Sequence, residues 1–465
     1  MLIERAEVEG RGPLDVRIDG GCIAAVSREI APQPGEERLD AAGGALLPGL
    51  HDHHLHLLAL AASAHSVRCG PPEVRTRQDL ARALGAARPR AGWIRGTAYH
   101  DSVAGALDRR DLDALAPGAA VRLQHRSGAL WMLSSAGVER LGLDRGVDAP
   151  GVERDAPGRA TGRLYRLDAW LRDRLGADGP PDLAPVGARL ASLGVTGLTD
   201  ATASNGPGEL ALLEAAAAAG ALPQRLLLMG RSDLPLPSHP RVARGPRKLV
   251  LAEGELPDFD AFAGAIRAAH AAGRAAAVHC VTRAELAFAV GAFDAAGARP
   301  GDRIEHAAVA PPDLALRIAA QGLTVVAQPH FVRERGDAYA VEVERADLAW
   351  LHRARGLELG GVALGAGTDA PFGAPDPWLS MRAAVERRTE AGERLGPGEA
   401  LSPERALALF TSPALAPGAP PRRVEPGAVA DLCLIDRPWA AARDALDARF
   451  VAAALVAGEL VFRRG

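Results

Sequence analysis

The stretch ALLPGLHDHHLH, residues 45–56, holds four of the chain's thirteen histidines behind an apolar lead. The lead reads as a buried strand. Period-two alternation along it puts Asp52, His54 and His56 on one side and His51, His53 and Leu55 on the other. Two imidazoles spaced i, i+2 at the C-terminal end of such a strand can hold one metal ion together. ALLPGL before the cluster and LLALAA after it argue against a solvated surface run.

Seven further strand-like runs follow downstream: Gly194–Ala201, Gln224–Gly230, Arg247–Glu253, Ala275–Cys280, Asp302–Ala307, Leu323–Pro329 and Gly361–Asp369. With Ala45–His56 they make eight, the number that closes a (β/α)8 barrel of the TIM type, and so an α/β fold. Gly208–Gly220, Asp258–Gly273, Arg283–Gly297 and Pro312–Gly322 between them read as helices, each stopped at a glycine. The proline-rich Arg231–Pro246 offers no helix between the third and fourth strands. Residues 65–190 are too long for a βα loop and predict a subdomain inserted after strand one, over the barrel mouth. Leu2–Ile30 and Val424–Arg463 alternate like strands with Gly-rich turns, which predicts that both chain ends meet in a small β-sandwich. The expected division is therefore 1–44 and 416–465 for the sandwich and 45–415 for the barrel, with 65–190 inserted.

Composition narrows the class. The chain has 465 residues, 48% hydrophobic, and a formal net charge of -3. That balance gives no general attraction to nucleic acid or to an anionic membrane. The first ten residues lack an apolar signal core, and no apolar stretch approaches the roughly 20 residues that span a bilayer. The expectation is a cytoplasmic enzyme acting on a small molecule, for which a homo-oligomer is compatible. Cys22, Cys69, Cys280 and Cys433 are far apart and form no CxxC pair, so neither a disulfide framework nor a zinc-finger spacing is indicated.

Among 54 lysines and arginines, Lys248 is the only lysine. In a chain that otherwise uses arginine for positive charge, its retention points to amine chemistry. A desolvated lysine can present a neutral amine to carbon dioxide, to a substrate carbonyl or to a metal site, and a guanidinium cannot. Lys248 lies in the fourth strand run, His279 ends the fifth, His306 the sixth and Asp369 the eighth. Each is weak evidence alone. In a closed barrel, however, all strand C-termini converge on one mouth, so these residues become neighbours.

The set His54/His56, Lys248, His279, His306 and Asp369, in this order, resembles the metal-dependent amidohydrolase superfamily. The phrases PGLHDHHLH, GWIRGTAYHDS, GVERDAPGRATG, LGVTGLTDA, GDRIEHA, VVAQPHF and GTDAPFG resemble its amidohydrolase-3 branch. The resemblance spans nearly the whole chain. It implies that His54, His56 and Asp369 bind the more buried of two metals and His279 and His306 the second, with a carboxylated Lys248 bridging them. One or two divalent ions are expected, zinc first, with manganese or iron as alternatives.

The implied activity is hydrolysis of a C–N bond, in an amide or cyclic amide, by metal-activated water. Asp369 would orient that water and pass its proton to the leaving nitrogen. His125 or His330 would stabilise the oxyanion, and Tyr99, His100 and Asp101 would contact substrate. Deamination, ester hydrolysis and metal-assisted decarboxylation are alternatives on the same site, and a non-catalytic ligand-binding barrel is an alternative of another class.

Overall fold

The computed structural model describes residues 1–147, 149–175, 181–252 and 254–465. The chain divides into two compact units, Met1–Leu57 with Leu183–Gly465, and Leu58–Asp182.

The larger unit contains the barrel. Its eight strands are Leu50–Leu55, Val195–Asp200, Arg225–Gly230, Val242–Val250, Ala276–Cys280, Arg303–His306, Thr324–Ala327 and Ala363–Ala366, each paired in parallel with the next in sequence. Most are nearly continuous apolar runs because parallel strands under a helical layer are buried on both faces. Between the first and last strands, Asp369 N donates to His54 O at 2.6 Å and His56 N donates to Ala370 O at 2.8 Å. The buried Asp52 carboxylate adds to this seam by accepting from Thr368 N at 2.9 Å. A Cβ at Gly367 would lie 2.4 Å from His54 N, so glycine is what lets the two strands approach.

The intervening helices start where the sequence caps them. Thr282 and Glu285 form a capping box on Arg283–Ala296, and Asp258 caps Phe259–Ala271. As the prolines imply, residues 231–241 hold no helix.

Two strand readings need correction. Ala45–His56 is two strands, because Ala45–Pro48 pairs with Leu432–Ile435 and Leu2–Val8 in the terminal sheet and only Leu50–Leu55 enters the barrel. Gly49 makes the transition, where a Cβ would collide with Thr196 Oγ1 at 2.2 Å. The fourth barrel strand is Val242–Val250 rather than Arg247–Glu253, since Gly245 and Pro246 lie inside it instead of ending it. Glu253 itself falls outside the described residues.

Strands from both chain ends form one eight-stranded sheet. Its Cys22–Ser27 edge curls back, with Ile23 N donating to Ala428 O and Ala430 N to Gly21 O. The closure buries a core that includes Ile3, Val16, Ile23, Leu432 and Leu455, and so gives the sandwich expected of the termini.

The unit Leu58–Asp182 is built on a six-stranded sheet ordered Val152–Arg154, Ala160–Tyr165, Leu130–Leu133, Ala120–His125, Trp93–Tyr99 and Val67–Arg68. It has its own apolar core around Leu80, Leu112, Val121 and Leu123.

Candidate metal centre

The imidazoles of His54 and His56 converge on one carboxylate. His54 Nε2 lies 3.4 Å and His56 Nε2 3.2 Å from Asp369 Oδ1. Donor atoms of these three residues all lie within 4.8 Å of one another. His306 continues the cluster, its ring centroid 4.8 Å from that of His54 and 4.5 Å from that of His279. The strand ends therefore bring together four of the histidines expected at the mouth, together with Asp369.

The outward nitrogens are spoken for. His54 Nδ1 meets the Glu305 carboxylate in a short contact, His56 Nδ1 lies 2.8 Å from Thr202 Oγ1, and His306 Nδ1 lies 2.7 Å from Gln328 Oε1. Anchoring one ring nitrogen fixes the tautomer and aims the other's lone pair, which is how metal-binding imidazoles are usually held. Burial pushes His54 and His306 below the ordinary histidine range and His279 down to about 3, so these rings are neutral near pH 7. Burial alone would raise Asp369, but His56, His54 and His306 around it hold the carboxyl well below its usual range.

Lys248 lies in the same electrostatic neighbourhood, where Glu305 and Asp369 act on it. Its Nζ is buried and has no hydrogen-bond partner, and desolvation lowers the amine to about 8. Neutral imidazoles around one anionic carboxylate form a donor set that fits a divalent cation, and the orphaned Lys248 amine lies within electrostatic range of it.

Glu305 and Arg303 adjoin the cluster, and the sequence alone did not single them out. Arg303 Nε donates to Glu305 Oε1 at 2.5 Å, and Arg303 Nη2 donates to His53 O at 3.1 Å. Both side chains are fully enclosed, and burial, which would raise Glu305, is outweighed by Arg303, Lys248 and His54, so the carboxyl stays well below its usual range. Two opposite charges at i, i+2 inside an apolar strand were the available signal, because buried charges are paired or serve a site.

The remaining expected residues lie elsewhere. His51 and His53 face away from the cluster, contacting Thr199 Oγ1 at 2.9 Å and Ser412 Oγ at 3.0 Å. His330 is completely enclosed, with Nδ1 3.2 Å from Ser380 Oγ and Nε2 against Gly373, behind the turn that carries Asp369. Tyr99, His100, Asp101 and His125 belong to the inserted unit. There the His100 and His125 rings lie 6.0 Å apart, and each accepts from a following serine N–H.

The (β/α)8 barrel gathers neutral imidazoles around one buried carboxylate at its strand ends, a candidate site for a divalent metal ion. The pattern of the amidohydrolase family (Amidohydro_3) matches residues 37–462, and the chain belongs to that family, whose members hydrolyse C–N bonds. It is 26% identical to an N-substituted formamide deformylase of Arthrobacter pascens over 493 aligned positions, covering 91% of this chain and 90% of that one. In fold it is similar to an uncharacterized metal-dependent hydrolase of Pyrococcus horikoshii, with a TM-score of 0.73 at 21% identity over 94% of this chain and 96% of the other. A metal-dependent hydrolase of Pyrococcus furiosus has a TM-score of 0.72 at 23% identity, over 94% and 97% of the two chains. Among the described residues no helix is long and apolar enough to cross a membrane.

Proposed function

We propose that the protein hydrolyses the C–N bond of a small amide at the cluster of His54, His56 and Asp369. The observation that carries this is the convergence of His54 Nε2 and His56 Nε2 on Asp369 Oδ1, while the outer nitrogens of both rings are engaged elsewhere. A divalent ion held by these three, with Lys248, His279 and His306 available for a second, would polarise the amide carbonyl and bring the pKa of a water toward about 7. Zinc suits the imidazole-rich set best, ahead of manganese or iron.

The chain's own groups do the rest. Asp369, anionic at neutral pH, takes the proton from the attacking water and delivers it to the departing nitrogen. The two proton transfers leave the carboxylate as it began, so the cycle closes. Glu305, anchored by Arg303, keeps the His54 proton on Nδ1 and its lone pair on Nε2. His330, enclosed behind the Asp369 turn, would shape that turn rather than meet the oxyanion.

Lys248 would act as a carbamate. The ammonium first releases one proton, the neutral amine then adds to carbon dioxide and its nitrogen loses a second, so a buried cation becomes an anion that would hold a metal. The partnerless, desolvated Nζ supports this reading. The Arthrobacter relative is named for a deformylase, and a formamide C–N bond is an amide bond, which favours an acyl substrate.

The test is a screen of metal-loaded protein against N-acyl amino acids, N-alkyl formamides and cyclic ureides, with carboxylate and amine both quantified. Stoichiometric release of the two from the acyclic amides, or ring opening of the cyclic ureides to a ureido acid, is the expected result. Release of ammonia or carbon dioxide instead would reassign the site to deamination or decarboxylation.

A further inference from the structure

Helix Phe331–Glu342 follows the seventh barrel strand, with Phe331 buried at its start. Phe331, Arg335 and Tyr339 recur at i, i+4 and i+8 and so share one face. Arg335 Cζ sits 3.9 Å from the Phe331 ring centroid, and its Nη2 donates to Phe372 O at 2.5 Å. The Phe372 ring in turn packs edge-on against His56, with centroids 5.4 Å apart. This face thus begins one side chain away from the candidate metal cluster.

Across from it stands His352, whose ring lies 6.1 Å from Phe331 and 5.6 Å from Tyr339. His352 is only 5% exposed, yet neither of its ring nitrogens has a partner. It is also held in the left-handed region at φ 48°, with its carbonyl accepting from Arg387 Nη1 at 2.8 Å. Among the described residues Arg335 is paired with no carboxylate, its contacts being the Phe372 carbonyl and the Phe331 ring. A half-buried guanidinium and an orphaned imidazole are each costly unless something completes them. One planar anion reaching both would do so, because Arg335 keeps N–H donors beyond the one given to Phe372 O, and His352, which burial holds neutral, carries one N–H donor.

We propose that Arg335, backed by His352, is the specificity-determining recognition site for a carboxylate on the substrate, so that the amide cleaved is anionic, of the N-acyl amino acid type. The proposal rests on the amide-hydrolase reading above. Phe372 and Phe331 would line the path between this carboxylate and the scissile bond.

The metal-loaded enzyme is assayed on N-acetyl amino acids and on the same compounds with the α-carboxylate converted to a carboxamide, following acetate release. A charge-assisted hydrogen bond predicts kcat/KM about 10- to 100-fold higher for the carboxylates, carried mainly by KM. Arg335→Met should cut that ratio toward one, and Arg335→Lys should retain part of it. Calorimetric titration of both compounds into metal-loaded Asp369→Asn, which is expected to turn over slowly, decides recognition apart from turnover, with at least tenfold tighter binding of the carboxylate expected. Equal binding of the two, or a ratio unchanged by both substitutions, overturns the proposal and leaves the amide-hydrolase reading standing. Cleavage of neither compound, nor of formamides or ureides, overturns that reading, while the calorimetric comparison still decides whether the carboxylate is recognised.

Discussion

Replacing Glu305 by glutamine changes one oxygen to an NH2 group and should damage two properties at once. The native carboxylate accepts from Arg303 Nε through one oxygen and meets His54 Nδ1 through the other. An amide has one acceptor, so whichever way it turns, a donor faces either Arg303 or His54. In either orientation the fully buried Arg303 guanidinium loses its counter-charge, and breaking such a pair costs about 3–5 kcal/mol; a donor turned toward Arg303 also forfeits their hydrogen bond. If it faces His54, the ring must shift its proton to Nε2, which removes the lone pair aimed at the metal. Loss of such an outer partner typically lowers metal affinity by about 10- to 100-fold, or about 1.4–2.8 kcal/mol. Thermal melting of the metal-free variant and competition against a chromogenic chelator read the two effects separately. The double variant Arg303→Met/Glu305→Leu separates their causes, because removing both buried charges should restore much of the stability while His54 still lacks its carboxylate and metal binding stays weak. Wild-type metal affinity in Glu305→Gln, or full recovery of affinity in the double variant, would refute the assignment of Glu305 as the residue that orients His54.

Three further outcomes are expected. Asp369→Asn should lower turnover by about two to four orders of magnitude while the variant retains metal by elemental analysis, and unchanged turnover on a confirmed substrate would assign the proton transfer elsewhere. Lys248→Arg should lose the second metal as fully as Lys248→Ala, bicarbonate should aid reloading of the wild type, and a short carboxylic acid should partly rescue the alanine variant; full activity of Lys248→Arg would exclude a carbamate. Chelation should abolish activity, and one to two equivalents of a divalent transition metal should restore it; purified active protein with no stoichiometric metal would remove the site altogether.

The barrel was legible because strands buried on both faces must be apolar along their length and the helices between them carry caps and stops. The fourth strand was misplaced for the same reason in reverse: Gly245 and Pro246 are ordinary breakers, and only pairing with Arg225–Gly230 on one side and Ala276–Cys280 on the other holds them inside a strand. His54, His56 and Asp369 could be proposed because barrel topology alone brings strand ends together. Arg303 and Glu305 could not be placed so easily. Their role depends on which neighbour each faces across the barrel, and His54 is 251 residues away from Glu305 in sequence. The face formed by Phe331, Arg335 and Tyr339 was hidden for a different reason: FVRERGDAYAVE mixes polar and apolar residues, and its partner His352 comes from a separate loop.

Backbone strain connects these residues independently of any family likeness. Between residues 183 and 445, the described non-glycine residues with positive φ are His306, Ala307, His352, Asp369 and Arg387. A side chain in that region typically costs about 1–3 kcal/mol, and it persists only where the surroundings enforce it. Arg303 and Glu305 point into the barrel, so strict alternation would send His306 to the opposite face. At φ 72° the chain turns instead, and the imidazole reaches His279 and His54. Asp369, at φ 51°, is placed against His54 and His56 in the same way. His352 and Arg387 repeat the device away from the cluster, where Arg387 Nη1 grips the His352 carbonyl while both His352 ring nitrogens stay without partners. If strain of this kind is retained where chemistry requires it, its occurrence at His352 agrees with the proposed recognition of a carboxylate by Arg335 and His352.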